Sequence, residues 1–373
     1  MIYDISCACS IFAQSLKKQH EKEIGEETKM KSLSPKTLEK KYAELGLSQE
    51  KLDLLHDYFL CFSNLYGVIS VGEAWNTFKH YEGINQLHKK DFIAFSGIVQ
   101  REPGHPYTVL ELKEVYTGET TEDPAERLIV NNRLIGSGYG KYTLLYNTVD
   151  RQQDKPYYLP AERSSFLANV EDRFFLSPDG KQMVRFLGKL KTDGRYRDFN
   201  GKPRGDILDL DGNPVAGKCL SDFICYTQDE QSDIDYFKSD AKKEKLRQKY
   251  RTTALDKVLC YIFRNIQTGG VLPNESPAES MQFLTEFLSR DLGVLLTCAQ
   301  TERFCELYIA LNNHSHLWQN CGWRPDELRR GTASGMPDTL SIGPNLKRLF
   351  EEGKMDRKEF EQELRKLGIE LSK

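Results

Sequence analysis

Tyr107-Thr108-Val109-Leu110-Glu111-Leu112 is the stretch on which the fold turns. It is rich in aromatic and β-branched residues and follows the Pro103-Gly104 turn, so it reads as a strand. Three helical patterns precede it. Leu52, Leu55, Phe59, Phe62 and Tyr66 recur at helical spacing, and Gly67 ends the run. Ser70 and Glu73 make a capping box for a helix holding Ala74, Trp75 and Phe78. A third stripe carries Phe92, Phe95, Ile98 and Val99. Three helices and a strand, in that order, fit a winged-helix-like unit, in which Lys89, Lys90, Gln100 and Arg101 on or beside the third helix would meet phosphates. They fit a helical scaffold with ordinary surface charges as well.

A chain of 373 residues has room for two or three domains. Hydrophobic content of 39% beside 29% charged residues is that of a globular protein. With a net charge of −3, attraction to a polyanion must come from local patches. No apolar run approaches the roughly 18 residues of a membrane span, and Met1–Phe12 lacks the basic leader and continuous apolar core of a secretory signal. Nine scattered cysteines do not form a disulfide framework, which points to an intracellular, cytoplasmic protein. Residues 1–46 read as a charged tail or helix, and Cys7 and Cys9 have no second pair nearby with which to hold a metal.

Downstream of the strand, Gly136-Ser137-Gly138-Tyr139-Gly140-Lys141 is followed by Tyr142–Tyr146, whose composition suits a strand. A phosphate loop must run into a helix, so this reads as a hairpin tip. Arg185, Lys189, Lys191, Arg195, Arg197, Lys202 and Arg204 face only Asp193 and Asp198, a local net of +5, with Tyr196 and Phe199 among them. Asn200-Gly201 and Asp211-Gly212 mark hairpin turns. Cations interleaved with aromatics suit nucleic acid, the cations on the backbone and the rings on bases; a solvated hairpin is the other reading. Asp209–Asn213 mimics a calcium loop, but Pro214 and Leu220 stand where glycine and a bidentate glutamate are needed. A charged helix over 229–250 adds Lys242, Lys243, Lys245, Arg247, Lys249 and Arg251 as a second basic strip.

Further helices follow: one with Leu255, Val258, Ile262 and Ile266, stopped at Gly269-Gly270, and one with Leu284, Phe287 and Leu288 that Ser276-Pro277 opens. A third, with Phe304, Leu307, Tyr308 and Leu311, leads into Asn312–Leu328, the segment densest in side chains that bind things. It holds Trp318, Trp323, His314, His316 and Cys321. Cys298, Cys305, His314, His316 and Cys321 are zinc-type ligands, spaced by six, eight, one and four residues, which matches no compact zinc template. His314 or His316 could act as a general base oriented by Asp326 or Glu327, although no GxSxG or HExxH accompanies them. The structural reading makes Trp318 and Trp323 buried anchors, Gly322 a tight turn and Pro325 the first turn of a short helix. A Gly/Ser/Thr-rich linker over 331–343 and two short closing helices complete the chain.

Asn312-Asn313, Leu317-Trp318, Asn320, Gly322, Pro325 and Glu327-Leu328, at this spacing, resemble a C-terminal motif in a group of bacterial proteins without an established activity. Ser341–Asn345 and Leu65–Ile69 are similar to that group too. Some members carry a zinc-binding tail like that of the preprotein-translocase ATPase; this chain lacks the tail's clustered cysteines. The resemblance implies kinship and no chemistry.

The expected architecture is a predominantly helical α+β protein: a charged tail over 1–46, a helical, winged-helix-like domain over 47–188, a basic hairpin region over 189–228 and a helical domain over 229–373. The leading functional expectation is a non-enzymatic regulatory protein that meets nucleic acid or a nucleoprotein partner without a cofactor. Its contacts would be Arg195, Tyr196, Arg197, Phe199, Lys202, Arg204, Lys242, Lys243 and Arg247. The alternatives are a metal-dependent hydrolase at His314 and His316 and a purely protein-binding factor.

Overall fold

The computed structural model describes residues 32–83, 86–116, 122–136, 140–153, 155–269 and 277–329. Cys7 and Cys9, the Gly138 loop tip, Ser276, the linker and the closing helices lie outside the described residues. Within them the chain is α+β and mostly helical, as its periodicities predict.

The N-terminal half is built around one helix. After α1 (Pro35–Glu44) comes α2 (Gln49–Tyr66), whose Leu55, Phe59, Phe62 and Tyr66 recur every three or four residues and are all buried. It ends where Gly67 takes φ +71°, a left-handed turn open to glycine. β1 (Val68–Ser70) follows at once. The Ser70 side chain accepts from the Glu73 N–H and starts α3 (Val71–Glu82). Then come α4 (Lys89–Val99), β2 (Tyr107–Leu110), the short α5 (Leu112–Val115) and β3 (Leu128–Asn131).

β3 inserts between the other strands, giving the antiparallel order β1–β3–β2 with Ile69 and Val109 both opposite Ile129. The order is thus helix, strand, two helices, strand, the short α5 and a last strand that lies in the middle of the sheet. The period of two then divides the sheet between two cores. Ile69, Tyr107, Val109 and Ile129 face the aromatic cluster under α2, where Phe59 lies 5.3 Å from Phe92 and 5.1 Å from Phe95 between ring centres. Val68, Leu110, Leu128 and Val130 face the opposite way into a larger core.

The rest of the chain adds α6 (Thr143–Gln152), α7 (Arg163–Leu167), α8 (Pro178–Gly188), the hairpin β4 (Arg195–Arg197) and β5 (Pro203–Asp206), α9 (Gln228–Tyr236), α10 (Asp240–Lys249), α11 (Ala254–Thr268), α12 (Pro277–Leu292), α13 (Cys298–His314) and α14 (Pro325–Arg329). Of these, α7 sets Phe166 into the aromatic cluster, while α6, α8, α11, α12 and α13 supply the larger core. Met183, Leu187, Ile207, Ile262, Leu311 and Trp318 meet in it, so side chains from both sides of positions 188 and 228 share one interior.

Two expectations need correction. Tyr142–Tyr146 is not a strand: Thr143 begins α6, and Leu145, Thr148 and Gln152 form its buried face at helical spacing. Packing of that face overrides the β-like composition of the first residues. The charged run over 229–250 is two helices, broken at Phe237, where the backbone turns extended. The turns at Asn200-Gly201 and Asp211-Gly212 are formed, with both glycines at positive φ. Asp209 closes its turn by accepting from Asp211 N and Asn213 N and pairing with Lys218. Among the described residues no helix is long and apolar enough to cross a membrane.

Candidate functional sites

The Asn312–Leu328 segment is where the two halves lock. Trp318 is 1% exposed, and its own three polar groups are all paired with distant parts of the chain. Its indole Nε1–H donates to Asn64 O (2.8 Å), and its backbone N–H donates to Gln267 Oε1 (2.9 Å). Gln152 Nε2 donates to both Trp318 O (2.8 Å) and Tyr66 O (2.7 Å). Trp323 Nε1 donates to Pro156 O (2.9 Å). Cys321 takes φ +51°, which aims the chain back to let Tyr158 N donate to Cys321 O. Its thiol is buried against Gln152 O and Lys155 O, and burial pushes it up to about 12. Cys321 is therefore a buried thiol, and among the described residues it belongs to no group close enough to share an ion.

Behind this knot Asn312, Gln319 and Asn320, with Arg151, Asn265 and Tyr308, wall a pocket of about 430 Å³. Asn265 is 3% exposed, and neither its Oδ1 nor its Nδ2 has a hydrogen-bond partner. A buried amide left so offers two donors and an acceptor to whatever enters. Arg151 is held by Thr268 O and Gln319 Oε1. Sequence reasoning marked the wall residues of the motif and missed Asn265, which reads there as one more position of an amphipathic helix.

On the other side, His314, His316, Arg324, Arg173 and Tyr158 line an open cleft of about 630 Å³. The two histidines differ. His316 donates from Nδ1 to Gly322 O (2.6 Å) and accepts at Nε2 from Arg324 Nε (3.3 Å), with its ring stacked on Tyr158. Burial, with the Arg324 charge second, holds its pKa below the usual imidazole value. Both nitrogens are engaged, and the Nε2 lone pair is taken up by Arg324 Nε–H. His314 is half exposed and pairs through Nδ1 with Asp179 Oδ2 at 2.9 Å. The carboxylate that pairs with His314 is thus Asp179, not the expected Asp326 or Glu327. Glu327 instead accepts from Arg324 N, capping α14. Cys298 is exposed at the start of α13 and Cys305 half-buried within it. The five expected zinc ligands do not converge: among the described residues one cluster meets the distance for a shared ion, and it lies elsewhere.

The basic segments are partly neutralised. Arg197 is 6% exposed and pairs with Asp193, whose carboxyl it holds below the usual range. Arg204 pairs with Asp198. The Tyr196 ring is packed inward with its hydroxyl on Tyr226 O (2.7 Å), so it cannot stack on a base. Phe199 is 75% exposed with Arg290 over its ring. Arg195, Lys202, Lys242 and Arg247 are exposed and Lys243 half-buried. Tyr226, whose carbonyl accepts from the Tyr196 hydroxyl, feels the Arg247 and Arg251 charges.

Lys79 and His80 at the end of α3 and His88, Lys89 and Lys90 at the start of α4 are all exposed, with Asp91 in the first turn of α4. Glu82 nearby is turned onto Tyr58 and Arg163. Gln100 and Arg101, expected to meet phosphates, are half-buried, and Gln100 Nε2 is enclosed. No family model, no characterised protein sequence and no solved structure matches this chain.

Proposed function

We propose that this chain is a nucleic-acid-binding protein that docks duplex through the start of α4, with the hairpin and α10 as an accessory cationic surface. The observation that carries the reading is the β1–β3–β2 sheet order with α4 as third helix, because winged-helix units present that helix to the major groove. The cations support it. Lys89 and Lys90 occupy the first positions of α4, where main-chain N–H groups and the helix dipole also favour phosphate. On the accessory surface Arg195, Lys202, Lys242 and Arg247 are the side chains placed to meet the backbone, while Arg197 and Tyr196 hold the hairpin itself.

The test is a titration of labelled duplex DNA, single-stranded DNA and RNA at several salt concentrations. Affinity for the favoured ligand should fall steeply with salt, with a log–log slope of about −0.9 per phosphate contacted on duplex. Lys89→Glu with Lys90→Glu should remove duplex binding. Absence of binding at low salt, or binding indifferent to both reversals and to Lys202→Glu with Arg247→Glu, would sink the reading.

A further inference from the structure

His56, Glu102 and His105 come from two separate parts of the N-terminal half. His56 is on α2, Glu102 and His105 in the turn between α4 and β2, and nothing in their spacing announces a site. The fold brings their ligand atoms within 4.8 Å of one another. His105 Nε2 lies 3.2 Å and His56 Nε2 3.9 Å from the same oxygen, Glu102 Oε2. The side chains are only 20–26% exposed, so the convergence is not a chance meeting of surface groups.

We propose that these three residues bind a divalent transition-metal ion, with Zn²⁺ the best match. Two imidazoles and one carboxylate are a zinc-type donor set, and bonds of roughly 2.0–2.1 Å place tetrahedral ligand atoms about 3.3 Å apart. The observed 3.2 and 3.9 Å bracket that spacing. The surrounding groups are those such a site needs. His56 Nδ1 is 3.0 Å from the Tyr107 hydroxyl, so with Nδ1–H donating outward, Nε2 turns its lone pair on the ion. The Tyr42 hydroxyl of α1 donates to Glu102 and fixes the carboxylate. The His56 and His105 rings are stacked 4.8 Å apart at 20°, so loading turns one of them toward the other. The His105 ring also stacks on Tyr107, 5.1 Å between ring centres at 19°. The fourth position is left to solvent. The bound ion ties α2 to the α4–β2 turn, with α1 held through Tyr42. The inference is independent of nucleic-acid binding.

The experiment uses the full chain without a histidine tag, stripped with chelator and titrated with Zn²⁺ against a chromophoric competitor. One equivalent should bind. His56→Ala with His105→Ala should abolish that equivalent, and Tyr107→Phe should weaken it by about 10–100-fold. Circular dichroism checks that each variant is folded. Co²⁺ loading should give a spectrum without the intense band of a thiolate ligand. No stoichiometric Zn²⁺ on the wild-type chain overturns the proposal whatever the variants do. So do retention of the equivalent in the folded double variant and a thiolate-type Co²⁺ spectrum, which would place the ion on cysteine.

Discussion

Gly67 and Trp318 touch so closely that a Cβ on Gly67 would stand 2.5 Å from the indole Cδ2. The contact joins the end of α2 to the segment after α13 and leaves no room for a methyl group. Gly67→Ala therefore meets two penalties, a positive φ of 71° and a steric overlap with a fully packed ring. Together they should cost about 2–5 kcal/mol. Gly46 isolates the first penalty: its φ is +65°, but nothing lies within 4 Å of its Cβ position. Gly46→Ala should cost only about 1 kcal/mol. Urea melts of the two variants give the comparison, and equal losses would contradict the packing account.

Two amides on α11 make a second paired test. Gln267 is engaged at both ends, accepting from Trp318 N and donating to His316 O, whereas Asn265 has no partner at either atom. Both are 3% exposed. Gln267→Leu leaves two buried main-chain groups unpaired and should cost about 2–5 kcal/mol. Asn265→Leu loses no protein hydrogen bond and should change stability by less than about 1 kcal/mol. Thermal melts decide between them. A large loss at Asn265 would mean that its amide is structural and not available to a ligand in the adjoining pocket.

His316 sets a pH dependence whose sign follows from its contacts. Its pKa is lowered in the folded chain, first by burial and then by Arg324, so the unfolded chain takes up the proton first as pH falls below the ordinary value of 6.5. Stability from this residue is therefore whole above about pH 6.5 and is lost as pH falls toward the folded-state value. Protonation also removes the acceptor for Arg324 Nε. Wild-type stability measured between pH 7 and 5 should fall more steeply than that of His316→Gln, by up to about 1.4 kcal/mol per pH unit. Parallel profiles would show that the ring titrates normally.

What the sequence discloses here depends on whether a feature repeats along one element. The stripes of α2 and α11 were legible because each helix carries its own periodicity, and Trp318, Trp323 and Gly322 because their residue types already imply burial and a turn. β1 and β3 are three and four residues long, too short to show a period. Tyr142–Tyr146 misled because its burial is set by the rest of α6. The partners Gln152, Gln267 and Asn64 are ordinary polar residues until the fold sets them against Trp318. His56, Glu102 and His105 likewise gain meaning only from the crossing of α2 with the α4–β2 turn. Asp179 was hidden from His314 for the same reason.

Arg197 decides how the nucleic-acid reading must be tested. Judged by charge alone it belongs with Arg195 and Lys202, but it is buried against Asp193 and also donates to Arg195 O. Arg197→Glu would set two carboxylates together and should destabilise the chain by about 3 kcal/mol or more. Its effect on binding would then report unfolding. Lys89, Lys90, Arg195 and Lys202 are exposed, and reversing them should alter stability by no more than about 0.5 kcal/mol. With the fold intact, Lys89→Glu and Lys90→Glu should each flatten the salt dependence of duplex binding by about one phosphate contact. Arg195→Glu and Lys202→Glu should weaken binding less, in keeping with an accessory surface. If the hairpin pair has the larger effect, the primary contact is the hairpin and not the third helix.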